Sequence, residues 1–437
     1  QIEQEMSAEV EEEFAGNAAQ DELKKLREAY DSSHPENETL IYVPTEIDFN
    51  ANQSDLFEGD IILTPEQWKV ALDYDPEDPA RRRQGITTVA DLWQPIGAPI
   101  IPYEFLAGFP EAHKQVVLDA MKYWEERTCI KFRKATPSDT IGVIFNHKST
   151  GCSSVVGCMS YDRQNLNLSP NGCMTVTIVA HELSHTFGTL HVQSRSDRTF
   201  YVTIDTANIQ KGHEHNFKME PKGYSTYGIP YEFGSMQHYF PHSFAIDKTR
   251  PTIYARPKFQ QYQGSMDGPR ATFWDTELIN RMYKCTDKCA KPVACQNNGV
   301  QHANDCNKCF CPRGWSGTYC EKRPAEAQIF NAGATTTNVI MELKGAFSGF
   351  QEKLVIVQAP AGKRIKATVA TFGPYNFSMC RSVGLEVIPF NDTRSSGFRF
   401  CAKPNTAENT FTSEGNTMLL WMFRDANYDV ASAISVQ

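Results

Sequence analysis

Residues 181–191, HELSHTFGTLH, decide how the rest of this chain is interpreted. On an α-helix, residues four apart lie about 40° apart around the axis, so His181 and His185 face the same way and could share one metal ion. If the helix ran on, His191 would lie about 15 Å along the axis from His181, too far for zinc–nitrogen bonds of about 2.0–2.1 Å. The helix is therefore predicted to end near Gly188, because glycine accepts the positive φ of a helix C-terminal turn.

Three histidine ligands would leave one position of a zinc ion open for water, which is the catalytic rather than the structural pattern. Glu182 follows the first ligand directly and has the placement of a general base for that water. A lone histidine more often caps or fills a helix, but five fixed letters at the spacing HExxHxxGxxH seldom arise by chance. The stretch predicts a metal centre that hydrolyses its substrate.

Residues 181–198, HELSHTFGTLHVQSRSDR, resemble the zinc signature of the astacin metalloproteases, a family of the metzincins. The resemblance implies an α+β catalytic domain, a twisted sheet plus the active-site helix, with one Zn²⁺ held by His181, His185 and His191. It implies an endopeptidase that acts through a zinc-activated water. One position departs from the family pattern: Val192 stands where astacins usually have a glutamate that receives the N-terminal ammonium of the activated enzyme.

Two further stretches belong to the scaffold of this domain. Residues 110–127 are predicted to form an amphipathic helix that turns Val117, Ala120, Met121 and Trp124 inward. Residues 141–145, IGVIF, are predicted to form a strand that is either buried in the sheet or at its edge. By family likeness an edge strand lies beside the active cleft and pairs with the extended backbone of the substrate.

Residues 231–239, YEFGSMQHY, resemble the family's Met-turn beneath the zinc. The usual order is SxMHY, whereas here Met236 follows Ser235 directly and Gln237 takes the methionine's place. Which of the two side chains lies beneath the metal stays open. By resemblance Tyr239 ligates zinc in the resting enzyme and hydrogen-bonds the tetrahedral intermediate during catalysis; the alternative is an ordinary core tyrosine.

The first 83 residues, here called the leader, are predicted to be a propeptide. They hold 22 acidic and 7 basic residues, while the rest of the chain is mildly basic, a division that favours an intramolecular shield. Residues 56–63, LFEGDIIL, resemble the astacin propeptide motif, in which Asp60 would occupy the fourth zinc position and Glu58 is the rival ligand. The segment around residues 1–30 is expected to form an exposed helix without a function. An activating protease is predicted to cut after Arg83.

The thirteen cysteines divide the remainder of the chain. By family likeness Cys129 pairs with Cys285 and Cys152 with Cys173 in a catalytic domain of residues 84–285, which leaves Cys158 unassigned. Residues 286–322 resemble an EGF-like module too small to fold without bridges. Its cysteines are expected to pair first to third, second to fourth and fifth to sixth: Cys289, Cys295, Cys306, Cys309, Cys311 and Cys320.

Residues 328–437 alternate apolar and polar positions in short runs, which predicts an all-β sandwich. Cys380 and Cys401 resemble the second half of a CUB domain, although the usual first cysteine pair and the Tyr-Asp pair of calcium-binding members are missing. The order of modules is similar to that of nematode astacins, which act on cuticle, egg-shell or host tissue.

Composition limits the cellular setting and the partners. The cysteine content favours an oxidising compartment, and sequons at Asn37, Asn52, Asn376 and Asn391 agree with a secreted, extracellular glycoprotein. No run of about 18 apolar residues predicts a membrane span. No basic stripe with interleaved aromatic residues favours a nucleic acid.

These observations predict a secreted zinc-dependent endopeptidase made as a zymogen, which hydrolyses extracellular or matrix proteins and peptides. Its EGF-like and CUB modules are expected to bind matrix partners. The alternative is a catalytically inactive, protease-like binding protein that presents the same modules. Retention of Glu182 argues against that alternative, because a protein that only binds has no chemical need for a base there.

Overall fold

The computed structural model describes residues 17–33, 41–42, 44–50, 53, 56–72, 91–219, 226–404 and 409–437. The predicted cut after Arg83 and the sequons at Asn37 and Asn52 lie outside the described residues. Six α-helices are described: α1 (Asn17–Ser33), α2 (Glu46–Phe49), α3 (Pro65–Leu72), α4 (Glu111–Arg127), α5 (Val176–Thr186) and α6 (Phe273–Met282). None of them is both long and apolar enough to cross a membrane.

A six-stranded sheet is the scaffold of the domain that the sequence predicts to be catalytic. Its strands are β1 (Ile61–Ile62), β2 (Ile100–Phe105), β3 (Lys131–Lys134), β4 (Gly142–Asn146), β5 (Cys152–Val155) and β6 (Arg163–Leu168). They lie in the order β1-β5-β6-β4-β2-β3, and every neighbouring pair is parallel except β5 and β6. The outermost strand, β1, belongs to the leader and pairs with β5.

Of the two alternatives for residues 141–145, the buried one is observed. Strand β4 lies inside the sheet, hydrogen-bonded to β2 on one side and β6 on the other. The strand beside the leader is instead β5, which carries Cys152 and two serines. Its polar composition explains why the sequence did not reveal it as a strand.

Helices α4 and α5 cover this sheet, and α5 carries two of the three histidines that are predicted to bind a metal. The inward face of α4 is the predicted one, with Val117, Ala120, Met121 and Trp124 buried. The indole Nε1 of Trp124 donates to the carbonyl oxygen of Ala180 across 2.8 Å, which fixes α4 against the helix that carries the histidines. A buried apolar side chain of this size contributes about 1.5–3 kcal/mol, so this contact region is a major source of stability.

The C-terminal sandwich consists of two mainly antiparallel sheets with one shared core. Its strands are β11 (Gln328–Asn331), β12 (Thr337–Leu343), β13 (Gln351–Gln358), β14 (Lys366–Gly373), β15 (Val383–Ile388), β16 (Phe398–Phe400), β17 (Thr410–Thr412), β18 (Thr417–Arg424) and β19 (Val430–Val436). One sheet has the order β11-β13-β18-β15-β16 and the other β12-β19-β14-β17. The predicted all-β sandwich is therefore observed.

The disulfide pairs follow the predicted connectivity. Cys129 is bonded to Cys285 and Cys152 to Cys173 in the catalytic domain. The six-cysteine module pairs first to third, second to fourth and fifth to sixth, around the short hairpin of β9 (Val300–Gln301) and β10 (Cys309–Phe310). Cys380 is bonded to Cys401. Cys158 is a free, half-buried thiol.

The leader helix α1 is docked against the catalytic domain, so the expectation of an exposed helix was wrong. Leu26 and Tyr30 are buried against Tyr254, which lies on the strand β8 (Ile253–Ala255), paired with β7 (Val202–Ile204). Helical spacing alone could not reveal the partner surface, because it lies more than 200 residues further along the chain. Ion pairs flank this contact: Glu22 with Arg256, Asp31 with Arg250, and Arg27 with Asp205.

Candidate active site

Helix α5 begins and ends where the metal centre requires. The Thr175 side chain caps it by accepting a hydrogen bond from the Ile178 amide across 3.1 Å. The helix ends at Thr186, and Gly188 takes a φ of +105° while its amide donates to the carbonyl oxygen of His185. The predicted stop is confirmed, and it turns the chain so that His191 approaches the two helical histidines.

Oxygen acceptors behind the three rings fix the tautomer of each histidine. Nδ1 of His181 lies 2.7 Å from the carbonyl oxygen of Met236, and Nδ1 of His185 lies 2.8 Å from that of Thr189. Nδ1 of His191 lies 2.8 Å from the Glu58 carboxylate. Since a carbonyl or carboxylate oxygen only accepts, each Nδ1 carries the proton and each Nε2 presents a lone pair.

The three Nε2 atoms and the carboxylate of Asp60 converge on one point. Nε2 of His181 lies 3.1 Å from Nε2 of His185 and 3.1 Å from Asp60 Oδ2. The other separations are 3.4 Å from His191 Nε2 to Asp60 Oδ2 and 3.6 Å from His185 Nε2 to Asp60 Oδ1. A tetrahedral zinc site with bonds of about 2.0–2.1 Å separates its ligand atoms by about 3.3 Å.

The charges and lone pairs of these four side chains also favour a bound cation. Lone pairs of three imidazoles and a carboxylate, all fully buried, repel one another unless a positive charge lies between them. Asp60 Oδ1 and His191 Nε2 have no hydrogen-bond partner among the described residues. The four side chains fit Zn²⁺, and they form a group able to hold a metal ion.

Backbone conformation brings Asp60 into this position. Glu58 and Gly59 both have positive φ values, +46° and +78°, and β1 begins immediately after Asp60. The amide of Ser154 on β5 donates to the Asp60 carbonyl oxygen across 3.0 Å. A Cβ atom on Gly59 would lie 2.9 Å from side-chain atoms of both Ile47 and Phe244, so only glycine fits this turn.

Glu182 lies beside the metal cluster with no hydrogen-bond partner among the described residues. Its side chain is fully buried, and both carboxylate oxygens are unsatisfied. Burial raises its pKa well above the usual value, and the negative charge of Asp60 adds to the effect. A buried acid with free oxygens is poised to take a proton from a molecule that enters the site, rather than to support the fold.

Tyr239 is held by the leader. Its hydroxyl donates a hydrogen bond to the backbone carbonyl of Glu58, and its ring centroid lies 4.8 Å from that of His191. Burial raises the pKa of the phenol well above its usual value, and Asp60 and Glu58 add to this. The hydroxyl is therefore a neutral donor within one side-chain length of the cluster. Its role as a resting zinc ligand concerns a form without the leader and stays a prediction.

Comparisons with known proteins agree with this geometry. A model of the astacin peptidase family matches residues 86–284. The zinc metalloproteinase nas-23 of Caenorhabditis elegans is 30% identical over 400 residues, which are 89% of this chain and 73% of its own length. This chain belongs to the astacin family. It is a zinc metalloproteinase by that membership.

Other similar proteins differ from this chain in length. The zinc metalloproteinase nas-38 of the same nematode is 31% identical over 388 residues, 85% of this chain but 51% of its own length. The solved structure of high choriolytic enzyme 1, a hatching enzyme from the fish Oryzias latipes, is 28% identical, covers 45% of this chain and 96% of its own, and has a TM-score of 0.40.

The Met-turn of this astacin is anchored by a residue that the sequence did not single out. Asp275, on α6, accepts hydrogen bonds from the Ser235 hydroxyl and from the Met236 amide. Met236 is buried in the main core, while the Gln237 side-chain amide donates to the carbonyl oxygen of His181 across 3.1 Å. Gln237 thus braces the backbone of the zinc-binding helix, and Met236 supplies the carbonyl that orients His181.

Val192 leaves this astacin without the family's usual carboxylate at that position. A small cavity of about 30 Å³ lies beside it, lined also by Glu232 and Trp274. Glu232 is buried, and it accepts hydrogen bonds from the amides of Gly234 and Ser396. Burial raises the pKa of Glu232 to about 7. This lining acid is therefore already paired with backbone donors.

Proposed function

We propose that this astacin is a secreted zinc endopeptidase made as a zymogen, which hydrolyses peptide bonds of extracellular proteins once its leader is removed. One observation carries the proposal. The Asp60 carboxylate occupies the position opposite three histidine Nε2 atoms, where a substrate or water would otherwise approach. A zinc site closed by an acid from the chain's own leader is latent, not structural.

Each catalytic step is assigned to a residue of this chain. When bound by His181, His185 and His191, zinc supplies Lewis acidity and makes water a stronger nucleophile at neutral pH. Glu182 takes the proton of the attacking water and passes it to the leaving amine. The Tyr239 hydroxyl, released from the Glu58 carbonyl, donates a hydrogen bond to the oxyanion, and removal of such a donor typically costs about 10²–10³ in kcat.

Activation depends on removal of the leader as one piece. The ion pairs of α1, the β1–β5 pairing and the Asp60 contact all involve residues before Arg83, so a cut after Arg83 by an activating protease would separate them from the catalytic domain. The acidic character of the leader and the basic side chains that it meets support this arrangement.

The domain organisation completes the proposal. Residues 1–83 are the propeptide, 84–285 the catalytic domain, 286–322 an EGF-like module and 328–437 a CUB-like domain. The three-bridge pattern of the small module and the two-sheet core behind it support these assignments. The modules suit extracellular-matrix partners, and the disulfides suit an extracellular location. The sequon at Asn391 is exposed and open to glycosylation.

An inactive binding protein is the second candidate. It would share the modules and the zinc ligands but would not need Glu182. The buried, unsatisfied carboxylate of Glu182 is costly to keep, on the order of 1–3 kcal/mol, unless it serves chemistry. This cost favours the enzyme.

The proposal is tested by metal content and proteolysis on the full chain. The chain is cut after Arg83, zinc is quantified, and the digestion of a peptide library is followed with and without a chelator. We expect about one zinc per chain, hydrolysis inside peptides rather than at their ends, and recovery of activity when Zn²⁺ is restored. One bound zinc with no hydrolysis of any peptide would favour the binding protein.

A further inference from the structure

The leader contacts two parts of the molecule, the catalytic domain and the C-terminal sandwich. On the catalytic side, β1 pairs with β5. On the other side, the amide of Ile41 donates to the Asn376 carbonyl across 2.7 Å, and the Ser378 amide donates to the Ile41 carbonyl across 3.1 Å. The segment that closes the active site is thus also paired, backbone to backbone, with the sandwich.

A buried ion pair lies next to this second contact. Nη1 of Arg381 lies 2.6 Å from Oε2 of Glu46, and each residue is only 6% exposed. Asp267 of the catalytic domain is a second acid near the guanidinium, 3.6 Å from Nη1, and the charge of Asp425 also acts on it. Nη2 has no hydrogen-bond partner among the described residues. The guanidinium therefore keeps unused donor capacity even while the leader is bound.

This ion pair is close to the catalytic groups. Ile47 follows Glu46 directly and packs in one cluster with Tyr239. On the other side, Gly268 follows Asp267 and its amide donates to the carbonyl oxygen of Ser235 in the Met-turn, across 3.1 Å. The Glu46–Arg381 pair thus lies between Ile47, which packs with Tyr239, and the backbone of the Met-turn.

We infer that Arg381 is a specificity-determining residue of the protease: once the leader has gone, its guanidinium faces the vacated cleft and binds an Asp or Glu side chain of the protein substrate. The inference rests on the proposed function. In the latent form Glu46 occupies this subsite as the substrate's acid would. The planar guanidinium fork matches a carboxylate, and such charge-assisted hydrogen bonds are about twice as strong as neutral ones.

The surroundings select a carboxylate over a more highly charged group. Asp267 lies 3.6 Å from the guanidinium, so a dianionic phosphate would meet stronger repulsion from this second acid than a single carboxylate would. The unused Nη2 donor and the Nη1 donor released by Glu46 are sufficient to bind one carboxylate in a bidentate manner. Through Arg381 the sandwich contributes to the substrate-binding surface.

The test uses the full chain, loaded with zinc and cut after Arg83. Fluorogenic peptides are made in matched pairs that differ only by Glu or Gln, with the pair placed in turn at each of several positions around the cleaved bond. We expect wild-type kcat/KM to favour Glu at one position by about tenfold or more. Wild-type enzyme that hydrolyses the peptides without an acid preference at any position overturns the inference without the need for a variant.

Variants then assign the preference to the residue. In Arg381→Gln the Glu-to-Gln ratio at that position should fall to about one, while Arg381→Lys should keep part of it. Arg364→Gln is the matched control, because Arg364 is an exposed arginine of the same sandwich and donates to the Ser413 carbonyl; its ratio should match the wild type. An unchanged ratio in Arg381→Gln would overturn the inference. If the wild type shows no zinc-dependent hydrolysis of any peptide, the proposed function itself is wrong.

Discussion

Glu58 Oε2 lies 2.8 Å from Nδ1 of His191, while the opposite nitrogen of the same ring faces Asp60. The two leader acids therefore hold one imidazole from both sides and have different tasks. Glu58 orients the ring from behind, and Asp60 supplies the oxygen at the metal position. Their positions favour Asp60 over Glu58 as the zinc ligand, because Asp60 belongs to the group of four donor atoms and Glu58 lies outside it.

Asp60→Ala is expected to give detectable proteolysis in a chain that is still uncut, because the carboxylate opposite the histidines is lost. Glu58→Gln is the matched control, since an amide oxygen can still accept from the His191 ring and backbone, and this variant should stay latent. The measurement is hydrolysis of a quenched peptide by uncut protein, with the intact mass checked afterwards. If neither uncut variant hydrolyses the peptide, latency is maintained by occlusion of the active site by the leader and not by the Asp60 contact.

Glu182→Ala should lower kcat of the activated enzyme by about 10²–10⁴ while the zinc content remains near one per chain. The carboxylate touches no described hydrogen-bond donor, so its removal should leave the fold intact. Turnover and zinc are measured on the same preparation. Chelator-sensitive turnover close to that of the wild type would show that another group removes the proton.

Tyr239→Phe should lower kcat by about 10²–10³ with a much smaller change in KM, because the hydroxyl hydrogen bond forms mainly in the transition state. The ring packs against His191, and phenylalanine preserves that contact. Steady-state kinetics on one peptide separate the two parameters. An unchanged kcat would identify Tyr239 as a core residue.

Glu232 should make the stability of the protein depend on pH. Its folded pKa, about 7, lies above its usual value of 4.5, mainly because the side chain is buried. Its contribution to stability is therefore complete below about pH 4.5 and is lost as the pH rises through 7, by on the order of 3 kcal/mol at most. Between pH 5 and 8 the Tm of the wild type should fall more steeply than that of Glu232→Gln. Parallel Tm profiles would exclude this residue as the cause.

Much of the site could be predicted because its constraints are local. Helical geometry places His181 and His185 together, a glycine is needed where the helix ends, and a leader glycine precedes the acid that reaches the histidines. Disulfide pairing in the catalytic domain and in the small module also followed from family likeness, and the observed bonds agree with it. Such features depend on residues a few positions apart or on a fixed cysteine pattern.

Other features were decided by tertiary structure alone. The sequence predicted the ligand set, the general base and the acid at the fourth position, and the structure brings the three histidines and Asp60 together. It did not predict that α1 would be buried against β8 or that Glu46 would meet Arg381 across 335 positions, and it left open whether β4 would lie inside the sheet. The spacing of residues along the chain indicates that a helix face is apolar or that it carries a charge. It does not indicate which surface that face contacts, because packing and charge complementarity between segments far apart in the chain decide the contact.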